Sequence, residues 1–256
     1  MVKMKEQNIH PWIGKDVDTK IYQDFAREKL GFEFKDIGLL ITALTHRSFV
    51  NEHKKTAHEH NERLEFLGDA VLELVTSDFL FRNFGEQEGV LTALRAAMVR
   101  TESIGQSGWD LGYEPLVRLS KGERNGTERA HDVIMADCFE AVIGAIYLDQ
   151  GYEVAKDFVY KHIIVKIPNI LEEGSWRDSK SYMQELAQKL TGETPVYHTL
   201  REEGPDHDKS FVVGLYVGEE LVGMGEGHSK QEAQVEAAKG GIKKYKKLAE
   251  EAGLVI

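Results

Sequence analysis

Cysteine and long apolar runs are nearly missing from this chain of 256 residues. The single cysteine, Cys138, excludes an internal disulfide framework and is typical of a reducing compartment. It lies among apolar residues, so we interpret it as a buried structural thiol. No apolar run approaches the roughly 20 residues of a membrane span, and the polar first twenty residues lack a signal-peptide core. We therefore expect a soluble, cytoplasmic protein without membrane contact.

An excess of basic residues is missing as well. The formal net charge is −11, and residues 178–256 still carry 10 basic against 14 acidic residues. This balance excludes a broad positive field. If the chain binds nucleic acid, it must do so through local basic features and a metal ion.

What the chain has instead is an unusual acidic stretch, Asn-Glu-Arg-Leu-Glu-Phe-Leu-Gly-Asp-Ala over residues 61–70. Glu62, Glu65 and Asp69 are spaced at i, i+3 and i+7, which stacks three carboxylates on one helical face. Their mutual repulsion favours a bound divalent cation, although a solvated acidic face, extended by Glu73, is an open alternative. The predicted apolar stripe of this helix consists of Leu64, Leu67, Val71, Leu74 and Val75.

A second acidic pair, Asp137 and Glu140, lies in the otherwise apolar segment 132–147. Carboxylates in such a helix are costly to bury unless a partner or a metal satisfies them. Two acidic helices packed face to face would supply four carboxylates. An all-oxygen site of this kind suits Mg²⁺ or Mn²⁺ rather than zinc.

These segments carry a specific resemblance. The run Glu62-Arg-Leu-Glu-Phe-Leu-Gly-Asp69 resembles the signature segment of the ribonuclease III family, the double-strand-specific endoribonucleases, and Asp137-Cys-Phe-Glu140-Ala is similar to that family's second acidic helix. The likeness extends from about residue 21 to residue 248. It implies Glu65, Asp69, Asp137 and Glu140 as catalytic, metal-binding carboxylates.

The same resemblance implies further roles near the RNA or a second metal ion. Glu62, Glu88 and Glu123 match acidic positions of the family, although Glu88 and Glu123 stand in glycine-containing stretches that read as exposed loops. Phe66 matches a position that packs into the partner subunit. From periodicity alone, a core position for Phe66 is equally compatible with the pattern.

Residues 21–172 read as an all-α endonuclease domain after an N-terminal extension at 1–20, for which no role follows from composition. Strand-like alternation is nearly absent in this part. We predict two helices over 21–49, the signature helix over 62–83, a helix over 90–100, and a helix and turn over 102–119. A polar loop at 121–127, the second acidic helix and a helix at about 152–171 follow.

Residues 173–177 read as a linker, and residues 178–248 change character. Helix 179–190, strands 195–202, 211–217 and 221–226, and helix 229–247 form an α-β-β-β-α order, followed by a tail at 249–256. This small α+β unit resembles the double-stranded RNA-binding domain. The glycines of Gly223-Met-Gly-Glu-Gly227 lack dinucleotide-binding spacing, so no nucleotide cofactor is expected, and we interpret them sterically.

The second resemblance implies RNA contacts at two helices and one loop. Ser229 and Glu232 form a predicted capping box, which leaves amide groups and Lys230 at the helix start for phosphate. Family members usually carry several lysines where this chain reads Lys230-Gln-Glu-Ala-Gln234, so we expect weaker binding. The implied contacts are Ser181, Gln184, Glu185, Gln188, His207, Ser229 and Lys230.

Together these features predict a homodimeric, Mg²⁺-dependent endonuclease that hydrolyses double-stranded RNA, with Mn²⁺ able to replace Mg²⁺. The resemblance further implies 5′-phosphate and 3′-hydroxyl ends, staggered cuts, and ribosomal RNA precursors and structured messages as substrates. The alternative is a double-stranded RNA-binding protein that has lost cleavage. The presence of all four carboxylates speaks against that alternative.

Overall fold

The computed structural model describes residues 17–55, 57–174, 176–205 and 209–251. The chain divides into two compact units, and the boundary falls between Glu173 and Gly174. The first is helical, and the second combines a three-stranded sheet with two helices. This arrangement confirms the predicted fold class. No helix in the described ranges has the length and apolarity needed to cross a membrane.

The first unit is built around two long helices that carry the predicted acidic segments. Their bounds are α4, Glu62–Asn83, and α8, Glu128–Gln150. The predicted signature helix is therefore confirmed at both ends. Around this pair lie α1 (Thr19–Phe25), α2 (Ile37–Ala43), α3 (Arg47–Glu52), α5 (Glu88–Met98), α6 (Thr101–Leu111), α7 (Lys121–Arg124), α9 (Tyr152–His162) and α10 (Ile167–Glu173).

Several predicted elements of this unit are divided differently. Residues 21–49 hold more than two helices, because α3 begins at Arg47 after α1 and α2. A π-helical turn at Ala26–Leu30 continues α1 and ends at Gly31, whose φ of 89° suits glycine. The helix predicted over 152–171 is interrupted after His162. Pro168 contributes to that break, since it has no N–H to donate to an earlier carbonyl.

The polar loop predicted over 121–127 is also partly wrong. Residues Lys121–Arg124 form the short helix α7, because the Ser120 side chain caps it by accepting a hydrogen bond from the Glu123 N–H at 3.1 Å. Glu123 therefore lies in a helix rather than in an open loop. Glu88, the other acidic residue expected in a loop, is the first residue of α5.

The core of the first unit lies between α4 and α8 and the helices around them. Leu64, Val71 and Val75 are buried as predicted, and Cys138 is fully buried. Leu74 differs from expectation because it is exposed, and Phe66, for which two positions were open, is 79% exposed. The predicted apolar stripe is wrong at Leu74, where buried Leu72 takes the inward position, and a core role for Phe66 is excluded.

The second unit consists of α11 (Ser179–Thr191), β1 (Val196–Glu203), β2 (Ser210–Val217), β3 (Glu220–Gly227) and α12 (Lys230–Glu251). The strands form an antiparallel sheet in the order β1-β2-β3. Its core lies between the sheet and the two helices, and the predicted α-β-β-β-α order is confirmed. The core members include Tyr182, Met183, Leu186, Val213, Leu215, Val222, Ala233 and Ala237.

The glycines of β3 have the steric role that the sequence indicated. A Cβ atom at Gly223 would lie 2.8 Å from the Gly241 amide nitrogen, and one at Gly225 would lie 2.7 Å from the carbonyl carbon of Glu236. Residues with side chains therefore cannot stand at these positions without moving α12. The glycine-rich motif brings a helix onto a strand and is not a phosphate loop.

Candidate active site

Helices α4 and α8 touch backbone to backbone at the point where the acidic residues meet. A Cβ atom at Gly68 would overlap the carbonyl oxygen of Glu140 and lie 2.9 Å from the Gly144 amide nitrogen. A Cβ atom at Gly144 would in turn overlap the carbonyl oxygen of Leu64. Glycine at both positions lets the helix axes approach more closely than side chains would permit.

This crossing brings together the four carboxylates that the sequence predicts. Glu65 and Asp69 flank Gly68 on α4, while Asp137 and Glu140 lie within one turn of each other on α8. Glu65, Asp137 and Glu140 are half-buried, and Asp69 is exposed. Two acidic pairs that are about 70 residues apart along the chain thus lie close enough for each to act on the pKa of the other.

The electrostatics of this region are those of crowded, partly dehydrated carboxylates. Burial, then Asp69, Glu65 and Asp137, raise the pKa of Glu140 to about 8. Burial, followed by Asp137, Glu62 and Asp69, raises the pKa of Glu65 to about 7. The pKa of Asp137 is raised by burial and by Glu62. Each carboxylate makes ionisation of its neighbours more costly, so a cation among them would be strongly favoured.

An open cleft of about 510 Å³ lies beside these residues. Glu62 on its rim is held by Arg47 at 3.5 Å and lies 3.8 Å from His60 Nδ1. The cleft has acidic walls with one arginine and one histidine among them. Its lining residues include His46, Arg47, Asn61, Glu62, Glu65, Glu123, Ile134 and Asp137.

The donor set fits a hard divalent cation. Glu65, Asp69, Asp137 and Glu140 offer only oxygen atoms, which is the preference of Mg²⁺ and Mn²⁺, and the nearest sulfur, on Cys138, is fully buried. Within the described ranges, no three histidine, cysteine, aspartate or glutamate side chains are arranged to hold a metal ion as they stand.

Of the three additional acidic residues, two line the cleft and one does not. Glu62 and Glu123 face the same cleft as Glu65. Glu88 instead lines a second cavity of about 440 Å³, together with Phe81, Leu91 and Arg95. Within one chain, the structure therefore does not bring Glu88 to the four carboxylates. Glu73, which extends the acidic face of α4, forms an ion pair with Arg95, whose Nε lies 2.9 Å from its carboxylate.

Three polar lining residues of the cleft were not singled out from the sequence: His46, Arg47 and Asn61. His46 and Arg47 lie at the start of α3, and both precede Glu62, the first residue of the signature helix, by fifteen or more positions. Periodicity could not find them because their place in the cleft depends on how α3 packs. The contact that places them is a hydrogen bond of 3.0 Å from the His46 N–H to the Arg118 carbonyl.

In the second unit, the predicted contacts of α11 share one exposed face. Ser181, Gln184, Glu185 and Gln188 are all exposed, whereas the intervening Tyr182, Met183 and Leu186 are buried. The predicted cap of α12 is confirmed at Ser229, whose Oγ accepts from the Glu232 N–H at 3.1 Å. The Glu232 carboxylate accepts from the N–H of His228, one residue before the position expected for a capping box, at 2.8 Å. His207 lies outside the described residues.

Lys230, the basic residue at this helix start, already has an acidic neighbour. Its Nζ lies 3.5 Å from a carboxylate oxygen of Glu202 and 5.6 Å from the Phe211 ring centre. Glu202 also binds Lys209 at 3.0 Å. Phosphate would have to compete with Glu202 for Lys230.

The fold and the acidic cleft define a helical nuclease joined to an RNA-binding module, and comparison with known proteins agrees. Residues 36–167 match the family model described as ribonuclease-III-like, and residues 179–245 match the double-stranded RNA binding motif. Ribonuclease 3 of Pelotomaculum thermopropionicum is 45% identical over 219 residues, which cover 85% of this chain and 91% of that protein. Ribonuclease 3 of Bacillus cereus is 44% identical over 238 residues, covering 91% and 96%.

A solved structure is similar as well. The nuclease domain of ribonuclease III from Campylobacter jejuni, a structure concerned with flexibility in a region involved in its dimer formation, superposes with a TM-score of 0.51 and 40% identity. It covers 57% of this chain and 98% of that domain. The chain belongs to the ribonuclease III family and is an endoribonuclease specific for double-stranded RNA.

Proposed function

We propose that Glu65, Asp69, Asp137 and Glu140 bind Mg²⁺ and that the protein uses it to hydrolyse double-stranded RNA, with Mn²⁺ able to replace it. The observation that carries this proposal is the crossing of α4 and α8 at Gly68, which gathers the four carboxylates. Burial and repulsion from neighbouring carboxylates raise the pKa of Glu65 to about 7 and that of Glu140 to about 8. The family is generally metal-dependent, which supports the same conclusion.

When bound, Mg²⁺ would lower the pKa of water for attack on phosphorus and stabilise the charge that develops on the leaving 3′-oxygen. The carboxylates supply the oxygen ligands, and burial of Glu65 and Glu140 limits competing water. Arg47 at the rim offers a positive charge to the RNA backbone. The products would carry 5′-phosphate and 3′-hydroxyl ends.

Glu62 and Glu123 would act from the cleft wall, near the RNA or a second metal ion. Glu88 could reach an active site only through assembly, because it is remote from the carboxylates of its own chain. In the second unit, Ser181, Gln184, Glu185 and Gln188 would contact the minor groove, and Ser229, Lys230 and His207 would contact the backbone.

A homodimer is part of this proposal, because two active sites are needed to cut both strands with a stagger. Exposed apolar side chains on α4 support it: Phe66 and Phe81 are each 79% exposed and Leu74 is 56% exposed. Exposed aromatic groups of this size are typical of interfaces. Ribosomal RNA precursors and structured messages in the cytoplasm are the proposed substrates.

The test is incubation of the purified protein with a long, end-labelled RNA duplex in Mg²⁺ and in EDTA. We expect short duplex products with 5′-phosphates in Mg²⁺ alone. Glu140→Ala should retain duplex binding in a gel shift and lose metal-dependent cleavage, while the control Glu153→Ala, on the exposed surface of α9, should cleave normally. Cleavage by Glu140→Ala at the parent rate would contradict the assigned site.

A further inference from the structure

His46 is a half-buried side chain in the wall of the acidic cleft, and the proposed site leaves it without a role. It precedes α3 and caps that helix: its Nδ1 accepts a hydrogen bond from the Ser48 N–H at 3.3 Å. The carboxylates of Glu62, Glu65, Glu123 and Asp137 line the same cleft.

The hydrogen bonds around His46 determine which ring nitrogen carries the proton. Nδ1 lies 2.8 Å from Ser48 Oγ, and Ser48 Oγ itself accepts a hydrogen bond from the Ser120 N–H at 3.1 Å. The Ser48 hydroxyl proton is therefore free to point at Nδ1. With Nδ1 accepting from both the Ser48 N–H and the Ser48 hydroxyl, a neutral ring must carry its proton on Nε2.

The Nε2–H group is then a donor of fixed direction. In the part of the chain that the structure describes, Nε2 makes no hydrogen bond, and it is not among the buried unpaired atoms. Burial lowers the pKa of His46; among the charges facing it, Arg47 and His60 lower this pKa, and Glu123 and Glu62 raise it. The ring is thus neutral near pH 7, where it donates without adding charge.

We infer that His46 binds the RNA substrate by donating its Nε2–H to a non-bridging oxygen of a phosphate that lies in the cleft, and that Ser48 and Ser120 orient the ring for this contact. The inference rests on the proposed active site, since it needs the RNA strand to enter this cleft. Phosphate oxygens are the RNA groups that suit such a donor, because they are anionic and lie on the outside of the duplex.

Two substitutions separate this contact from the capping role. In His46→Asn, the side-chain oxygen falls near the position of Nδ1 and retains a good N-cap for α3, but nothing reaches the position of Nε2. In His46→Gln, the amide nitrogen reaches about as far as Nε2, but the cap is weakened. His53→Asn, at the exposed other end of α3, is a matched control.

The experiment measures kcat/KM on a short RNA duplex in Mg²⁺, together with the melting temperature of each variant. We expect His46→Asn to melt like the parent and to lose about ten- to a hundredfold in kcat/KM, the usual effect of removing one hydrogen bond to a charged group. His46→Gln should melt lower yet cleave faster than His46→Asn. If His46 acted only by capping α3, His46→Gln would melt lower than His46→Asn and would also cleave more slowly.

Substrates with one phosphate near the cut replaced by a methylphosphonate give a second readout. One such substitution should slow the parent enzyme and leave His46→Asn no further impaired, because both changes remove the same hydrogen bond. The inference would be overturned if His46→Asn cleaved like the parent. It would also be overturned if, at every substituted phosphate, the methylphosphonate lowered kcat/KM for His46→Asn by the same factor as for the parent. If the parent enzyme itself does not cleave in Mg²⁺, the proposed function fails instead.

Discussion

Gly68 of α4 lies against the backbone of Glu140 in α8, so closely that a Cβ atom would overlap the Glu140 carbonyl oxygen. Because Gly68 stands between Glu65 and Asp69, the same contact sets the separation of the four acidic side chains. The stability of the first unit and the geometry of its site therefore depend on one position.

Gly68→Ala should force α4 and α8 apart, since the obstructing atoms are backbone and cannot rotate away. We expect a loss of about 2–4 kcal/mol in the free energy of unfolding, as in other overpacked cores, measured by urea unfolding followed by circular dichroism. Cleavage by the folded fraction should fall at least tenfold. Gly89→Ala is the matched control, because a Cβ atom there meets nothing within 4 Å; equal stability of the two variants would contradict the close crossing.

Glu140→Gln should stabilise the metal-free protein at alkaline pH. The pKa of Glu140 rises from its ordinary 4.5 to about 8 on folding, so between these values the folded state binds more protons than the unfolded state. The contribution of Glu140 to the free energy of unfolding is therefore fully present below pH 4.5 and is lost as the pH rises towards 8. In EDTA at pH 8, Glu140→Gln should gain about 1–3 kcal/mol over the parent.

At pH 4.5 the same variant should differ little from the parent in stability, because Glu140 is then protonated in the folded state and half protonated in the unfolded state. Urea unfolding at the two pH values, with Glu153→Gln as control, makes this comparison. A stability difference that is the same at pH 4.5 and at pH 8 would show that repulsion among the carboxylates is not its cause.

Glu202→Gln should strengthen duplex binding, because it frees Lys230 from a carboxylate that competes with phosphate. We expect about two- to fivefold tighter binding at low salt and a steeper dependence on salt concentration, as one more lysine becomes available to displace counterions. The measurement is fluorescence anisotropy with a labelled duplex over a salt series.

Glu203→Gln removes the same charge one residue away, where the carboxylate lies 3.5 Å from Arg201 rather than beside Lys230. It controls for the change in net charge. If both variants tighten binding equally, Lys230 is not specifically masked by Glu202.

Phe66→Asp should dissociate the proposed homodimer, because a charge would replace an aromatic ring that is 79% exposed in the single chain. Light scattering coupled to size exclusion measures the mass directly. Ile21→Asp changes another exposed apolar residue, on α1, and should remain dimeric. A monomeric parent protein, or a dimeric Phe66→Asp, would refute the assigned interface.

Much of the fold follows from local patterns that the sequence displays. Helix α4 has the predicted ends because the acidic and apolar positions repeat at helical spacing from Glu62 onward. In the second unit, strand β2 alternates between buried and less buried residues over most of its length, and a turn at Gly218 separates it from β3. Both kinds of signal lie within one element, where a period of two or of 3.6 residues is visible.

The remainder depends on contacts between elements that are distant in sequence. Leu74 carries the right spacing for the core but is exposed, because the position of α8 decides which side of α4 is covered. Glu88 resembles an active-site residue but faces a different cavity. His46 shows no pattern at all, since only the packing of α3 against Arg118 and Ser120 brings it to the cleft.

The most direct test of the central claim measures Mn²⁺ binding and duplex cleavage on the same samples of the parent and of Glu65→Gln, Asp69→Asn, Asp137→Asn and Glu140→Gln. Electron paramagnetic resonance of free Mn²⁺ reports binding without RNA. If the four carboxylates form one metal site, each substitution should weaken Mn²⁺ binding and lower cleavage while duplex binding persists. Variants that bind Mn²⁺ as tightly as the parent, or cleave as fast, would contradict the claim.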